Sequence, residues 1–283
     1  MDQWNLVIDV ALCNNCNNCV LAAKDEYVGN DFPGYSAAHA KQGTGVIRIH
    51  RTVRGSTPLV DAAYLPTLCN HCDNAPCLKA GAADGAVRKR PDGIVIVDPV
   101  KAKGRRDLVD SCPYGAMVWN EAAQLPQNWI FDAHLLDQGW AAPRGVQACP
   151  TGAMQSFKHS AAAMAALAER EGLRPLKPEL GTQARVYYKH LQRIDHVFIG
   201  ASLAAKVQGR IDCVADATIE LRQAGKTLAQ TRSDAFGEFK FDGLVPDSGT
   251  FELNIHHPQH GRLTQEAKLG QTSLYLGDLL LEA

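Results

Sequence analysis

Cys13, Cys16 and Cys19 stand three residues apart, and Cys69, Cys72 and Cys77 form a second tight triple. Thiolates at such spacing are metal ligands, and each triple lacks a fourth. Two further cysteines open near-identical segments, Cys112-Pro113-Tyr114-Gly115-Ala116 and Cys149-Pro150-Thr151-Gly152-Ala153, an internal repeat. Two triples and two remote cysteines supply eight ligands, enough for two 4Fe-4S clusters. A cubane presents its corner irons a few ångströms apart. A loop with two intervening residues wraps one face and points backbone N–H groups at the sulfides, and burial and those donors tune the potential. Proline after the remote cysteine turns the chain away from the cluster. Structural zinc would need two pairs per site and leaves the third cysteine of each triple unplaced.

The ninth cysteine, Cys213, lies on a strand-like segment and reads as an inert buried thiol. His71, inside the second triple, reads as a packed or supporting histidine rather than a ligand. His256, His257 and His260 read as an exposed loop, and Lys101, Lys103, Arg105 and Arg106 as either a solvated basic face or a run that docks a partner. No Gly-x-Gly-x-x-Gly, Walker loop, Gly-x-Ser-x-Gly or His-Glu-x-x-His is present. A chain with cluster ligands and no substrate machinery is expected to move electrons for a partner. A stand-alone polyferredoxin carrier and a mainly structural iron–sulfur subunit are the competing classes.

The elements that must position these thiols divide the chain in two. Residues 1–159 are rich in Gly, Pro, Asn and Asp, with short strand-like pieces such as Leu6-Val7-Ile8-Asp9-Val10 and Ile94-Val95-Ile96-Val97. This loop-rich, small-sheet texture predicts a polyferredoxin-type domain. Ser160 and Gly172 bracket a run of strong helix formers, Ala161 to Glu171. Residues from Pro175 to about Ile199 read as a wrapping linker, so 160–203 is assigned to helix plus linker. From 204 to 283, short alternating runs at roughly 8 to 12 residue spacing predict an antiparallel β-sandwich. The turn Ser233-Asp234-Ala235-Phe236-Gly237-Glu238-Phe239 resembles that of transthyretin-like, carboxypeptidase-regulatory-like domains. The expected class is α+β: a ferredoxin-like domain followed by the sandwich.

Twenty-nine Lys and Arg balance thirty Asp and Glu, for a formal net charge of -1, so nothing draws the chain to nucleic acid or anionic lipid. The longest apolar run, around Val197 to Ala205, is about half of the roughly 20 residues of a membrane span. The first ten residues lack the basic and apolar regions of a secretory signal. A cytoplasmic, reducing location is expected, which favours thiolate ligands over disulfides.

With these motifs in place, residues 1 to 199 resemble the iron–sulfur subunit that accompanies the molybdopterin catalytic subunit in DMSO-reductase-family enzymes. Within that family they are most similar to the small subunits of pyrogallol:phloroglucinol transhydroxylases and resorcinol hydroxylases. The segments that carry the resemblance include Val7-Ile8-Asp9-Val10, Cys16-Asn17-Asn18-Cys19, Phe32-Pro33-Gly34-Tyr35, Cys72-Asp73-Asn74-Ala75-Pro76-Cys77, Asp92-Gly93-Ile94 and Asp98-Pro99. Cys112 to Gly115, Ala133-His134-Leu135-Leu136-Asp137, Lys177 to Thr182 and Arg185-Val186-Tyr187-Tyr188 complete it. Transhydroxylase small subunits also end in a β-sandwich, which extends the resemblance over nearly the whole chain.

The resemblance implies that the ligand groups nest. Cys149 joins Cys13, Cys16 and Cys19, while Cys112 joins Cys69, Cys72 and Cys77. It further implies a large partner subunit holding a bis-pterin molybdenum and all substrate-contacting residues, action on polyhydroxylated aromatics, and an external electron acceptor if the reaction is a hydroxylation. The chain departs from the family where Ala23, Trp129, Asp132 and Gly145 align with the ligands of a third cluster. None of the four carries sulfur, so the third cluster is expected to be absent and its volume refilled. Gly81 and the stretch from Lys101 to Leu108 offer no thiol for a fourth.

Overall fold

Branched apolar residues fill a pleated surface well, and Leu6, Val7 and Ile8 do so at the centre of the first strand, β1 (Gln3–Asp9), where all three are buried. The computed structural model describes residues 1–43 and 45–282. In chain order β1 is followed by α1 (Asn18–Tyr27), β2 (Arg48–Ser56), β3 (Leu59–Thr67), α2 (Pro76–Gly81), β4 (Val87–Lys89) and β5 (Val95–Val97). Then come α3 (Asp107–Asp110), β6 (Met117–Asn120), β7 (Leu125–Asn128), α4 (Ala133–Asp137), α5 (Arg144–Gln147), β8 (Met154–His159), α6 (Ala161–Glu171) and β9 (Val186–Lys189). The remaining elements are α7 (Gln192–Asp195), β10 (Val197–Val207), β11 (Arg210–Cys213), β12 (Thr218–Gln223), β13 (Lys226–Arg232), β14 (Glu238–Leu244), β15 (Gly249–His257), β16 (Gly261–Leu269) and β17 (Leu274–Leu281). The fold is mostly β, with few and short helices.

The chain divides into two units, Met1–Arg51 with Tyr64–Leu191, and Thr52–Ala63 with Gln192–Ala283. In the first, β1 is the middle strand of a three-stranded sheet, antiparallel to β8 and parallel to β9. Two-stranded ladders β4–β5 and β6–β7 carry the cysteine segments that lie between. The α6 helix starts and stops where its sequence indicates. Ser160 Oγ accepts from Ala163 N at 3.2 Å, and Gly172 closes it at φ 64°.

In the second unit, one sheet places β10 beside β11, β14 and β17, and the other runs β13-β12-β15-β16. Val197, Ile199, Ala201, Leu203 and Ala205 of β10 share one apolar core with Ile219, Leu221, Phe251, Leu253 and Ala267 of the other sheet. Two expectations change here. The boundary at 204 falls inside β10, and the supposed linker contains both β9 and the start of that strand. The run Val197-Phe198-Ile199 shows no polar alternation because both strand faces are covered. The arrangement is also not wholly antiparallel. After β16 the chain crosses to the other sheet, and β17 enters beside β10 in the same direction.

The segment Thr52–Ala63, read in sequence as part of the iron–sulfur domain, belongs to this second unit. Arg54, only 6% exposed, ion-pairs with Asp61 of its own hairpin and with Asp242 of β14 at 2.7 Å, and donates to His196 O at 3.1 Å. β16 carries only two fully buried side chains, Ala267 and Leu269, as suits a polar edge strand whose pattern is weak in sequence.

Candidate metal centres

Each cysteine triple leaves a strand and enters a helix. At the end of β1, the Asp9 carbonyl accepts from Cys13 N at 3.2 Å and its Oδ1 from Ala11 N at 2.8 Å, which turns the chain out of the sheet. Asn15 and Asn17 take left-handed φ angles of 60° and 62°, a conformation that asparagine tolerates. Cys19 is then the second residue of α1, with buried Ala23 and Tyr27 following it on the same face. The second triple follows β3 in the same way. Its loop passes through His71 at φ 47°, and Cys77 is the second residue of α2, which Pro76 starts.

The remote cysteines repeat a different unit, a one-turn helix, a Cys-Pro turn and a strand. Cys112 lies between α3 and β6, and Cys149 between α5 and β8. In both turns the glycine amide donates to the cysteine carbonyl, Gly115 at 3.0 Å and Gly152 at 3.3 Å. Both glycines have positive φ, 59° and 67°, where a Cβ would be strained.

Helix packing sorts the four segments into two groups. α1 packs on α5, so closely that a Cβ added at Gly145 would lie 3.6 Å from Cβ of Cys19, whereas α2 packs on α3. Cys13, Cys16, Cys19 and Cys149 consequently line one small cavity with Ile8, Pro66 and Met154. Cys72, Cys77 and Cys112 share an apolar cluster with Val87, Leu108 and Met117, and burial, with Cys77 and Cys112 as neighbours, pushes the Cys69 thiol up.

These thiols are poor anions on their own. Burial pushes Cys13, Cys69 and Cys72 up, and lifts Cys19 and Cys77 to about 11, with neighbouring thiols adding to the effect. Positive charge of the kind that iron supplies would reverse that cost. Hydrogen-bond donors already face the sulfurs: Ala116 N lies 3.4 Å from Cys112 Sγ, and Asn128 Nδ2 lies 3.3 Å from Cys69 Sγ. Neither group of four includes a carboxylate or imidazole ligand, so the donor set fits iron–sulfur chemistry. Among the described residues, no three His, Cys, Asp or Glu side chains are gathered tightly enough for a single metal ion. Four thiolates on one zinc sit about 3.8 Å apart, given bonds of about 2.3 Å.

His71 is buried and neutral. Its Nδ1 accepts from Val95 N at 3.0 Å, and burial pushes its pKa down to about 3. The supporting residues Asn128 and Lys89 escaped the sequence reading, because nothing local marks a strand-end asparagine or a strand lysine as a neighbour of a cysteine far along the chain. Ala23, Trp129, Asp132 and Gly145 lie around one buried network. The Asp132 carboxylate accepts from Tyr27 Oη, from Trp129 Nε1 at 3.3 Å and from Arg144 N at 2.7 Å. Cys213 is exposed, contrary to expectation. It sits on β11, a four-residue edge strand with every residue exposed, so alternation buries none of them. Of the basic run, Arg105 is tied to Asp84 and Asp107.

A family model described as a 4Fe-4S dicluster domain matches residues 60–159. The pyrogallol hydroxytransferase small subunit of Pelobacter acidigallici is 45% identical over 258 residues, covering 90% of this chain and 91% of that one. The tetrathionate reductase of Salmonella typhimurium has a subunit 32% identical over 192 residues, covering 66% of this chain and 72% of its own. The sulfite dehydrogenase of Allochromatium vinosum has one that is 30% identical over 201 residues, covering 66% and 83%. Among the described residues, no helix is long and apolar enough to cross a membrane. Identity extending over nine-tenths of both chains, together with the dicluster match, shows that the chain belongs to the iron–sulfur small-subunit family of molybdopterin enzymes, the family of the pyrogallol hydroxytransferase small subunit.

Proposed function

We propose that this subunit carries two 4Fe-4S clusters, one held by Cys13, Cys16, Cys19 and Cys149 and the other by Cys69, Cys72, Cys77 and Cys112. We further propose that it passes electrons for a molybdopterin subunit that hydroxylates or transhydroxylates polyphenols such as resorcinol or pyrogallol. The observation that carries the reading is the duplicated plan, in which two strand–loop–helix triples each face a helix–Cys-Pro–strand segment. A 4Fe-4S cluster, when bound, takes up and gives back single electrons. The chain's residues would anchor the four irons of each cluster, aim amide donors at sulfur and limit the access of water. The substrate class rests on the relative from Pelobacter acidigallici, whose name specifies pyrogallol. The cytoplasm, the reducing compartment that free thiolates need, is the location this reading implies.

The second unit is proposed to be a transthyretin-like sandwich that packs against the large subunit. Its Ser233–Phe239 turn supports the transthyretin-like reading: Asp234 Oδ1 accepts from Phe236 N and Glu238 N, both at 2.9 Å.

Metal analysis of the purified complex tests the cluster count, with about eight irons per chain expected from two four-iron clusters. About four or about twelve irons, or stoichiometric zinc, would refute it. Hydroxylation with water releases two electrons per turnover and transhydroxylation releases none. Resorcinol turnover that depends on an added acceptor therefore identifies a hydroxylase, and acceptor-independent exchange of hydroxyl groups a transhydroxylase.

A further inference from the structure

Asn128 ends β7 and is 2% exposed. Its Nδ2 lies 3.0 Å from Val95 O, 3.1 Å from Trp129 O and 3.3 Å from Cys69 Sγ. The two carbonyls only accept, so the nitrogen and not the oxygen of the amide faces the sulfur. Its two hydrogens are shared among three acceptors. The Oδ1 atom is buried and has no partner among the described residues. The amide thus serves two backbone carbonyls, and the same nitrogen presents a donor to the sulfur at the cost of a buried, unpaired Oδ1.

A second charged feature sits behind the same loop. Lys89 Nζ lies 2.9 Å from His71 O, 2.8 Å from Cys72 O and 2.6 Å from Asp73 Oδ1. Asp73 is also gripped by Arg185, whose Nε and Nη2 reach its two oxygens at 2.7 Å each. Two cations against one carboxylate leave an excess positive charge next to Cys72. Around the other quartet, the cavity's polar lining is Asn14 and Thr151. The two thiol groups therefore sit in unlike fields.

We propose that Asn128, assisted by Lys89, raises the reduction potential of the cluster held by Cys69, Cys72, Cys77 and Cys112, offsetting the burial that would otherwise hold it low. The inference rests on the two-cluster reading above. On reduction one electron enters the cluster and its charge becomes more negative by one, while no bond or proton is exchanged at Asn128 or Lys89. Donors and cations favour the more negative state, and burial disfavours it. Asn128 is thus a positioning residue that acts through Cys69 Sγ.

The test is a redox titration of the full chain with its partner subunit, using dithionite as reductant and following the cluster signals by electron paramagnetic resonance. Asn128→Leu removes the donor and keeps the branching and number of heavy atoms, and Lys89→Met removes the charge and keeps the stem. In each variant one midpoint is expected to move to lower potential while the other stays. A tenfold rise in the oxidised-to-reduced ratio at the original midpoint corresponds to 59 mV for one electron. Eight irons per chain with both midpoints unmoved, a shift to higher potential, or an equal shift of both clusters overturns the inference alone. Fewer irons in the unaltered protein overturns the two-cluster reading along with it. Should Asn128→Leu not assemble, Asn128→Ser, which is smaller and cannot span to Cys69 Sγ, is expected to give the same shift, and an unmoved midpoint there refutes the role of Asn128.

Discussion

Replacing Asp132 with leucine should cost far more than replacing it with asparagine, and the hydrogen bonds say by how much. The leucine variant strands three buried donors, Tyr27 Oη–H, Trp129 Nε1–H and Arg144 N–H. Each unsatisfied donor costs about 1–3 kcal/mol. Asp132 also has a left-handed φ of 51°, which a leucine adopts at a further cost of about 1–2 kcal/mol. Apolar burial returns about 2 kcal/mol at a site that is 1% exposed. The balance is a loss of about 2–9 kcal/mol, centred near 5 kcal/mol. Asparagine keeps an oxygen acceptor and tolerates the backbone, so its loss should be about 1–2 kcal/mol. Urea unfolding of the cluster-loaded protein, followed by tryptophan fluorescence and separately by the visible absorption of the clusters, measures both. Leucine within about 1 kcal/mol of the parent protein, or asparagine as damaging as leucine, would refute the network as a structural element.

Gly237 has φ 76°, and a Cβ there would sit 2.3 Å from the Leu203 carbonyl oxygen. Gly237→Ala should therefore destabilise the second unit by roughly 3 kcal/mol and leave cluster absorption unchanged, whereas an unaltered unfolding midpoint would contradict the turn geometry. His39 stacks on Tyr27 at 4.8 Å, and burial pushes its pKa down to about 4 from 6.5. A depressed histidine contributes stability that is present above pH 6.5 and lost as pH falls toward 4, here about 3 kcal/mol. His39→Phe should flatten the stability profile across that window, and an unchanged slope between pH 7 and pH 4.5 would exclude this origin.

The loops and turns that carry the eight cysteines were legible because their signals are local. Spacing sets the loop, proline sets the exit, and glycine two residues after that proline sets the turn, all within a few positions. The α6 helix was legible for the same reason, with its cap and stop lying at its own ends. What escaped depends on partners far along the chain. Asn128 meets Cys69 across 59 residues and Arg54 meets Asp242 across 188, and no local pattern encodes either encounter. β10 was misread because periodicity reports a strand only when one of its faces is wet. Cys213 was misjudged because exposure on an edge strand depends on the number of neighbours, not on the residue.

The position of β1 has a consequence for synthesis. Its sheet partners are Met154–His159 and Val186–Lys189, so the strand that launches the first cysteine triple finds no neighbour until more than half of the chain has been made. At about 5–20 residues per second, the roughly 150 residues in between take roughly 8–30 s to emerge. During that interval Cys69 to Cys112, contained within a much shorter stretch, can already gather, while Cys13, Cys16 and Cys19 wait for Cys149. Vectorial synthesis therefore imposes an order of assembly, inner quartet before outer. The outer quartet closes only on a chain long enough to complete the central sheet, so a truncated product is left with three unmatched thiols exposed to the cell's quality control.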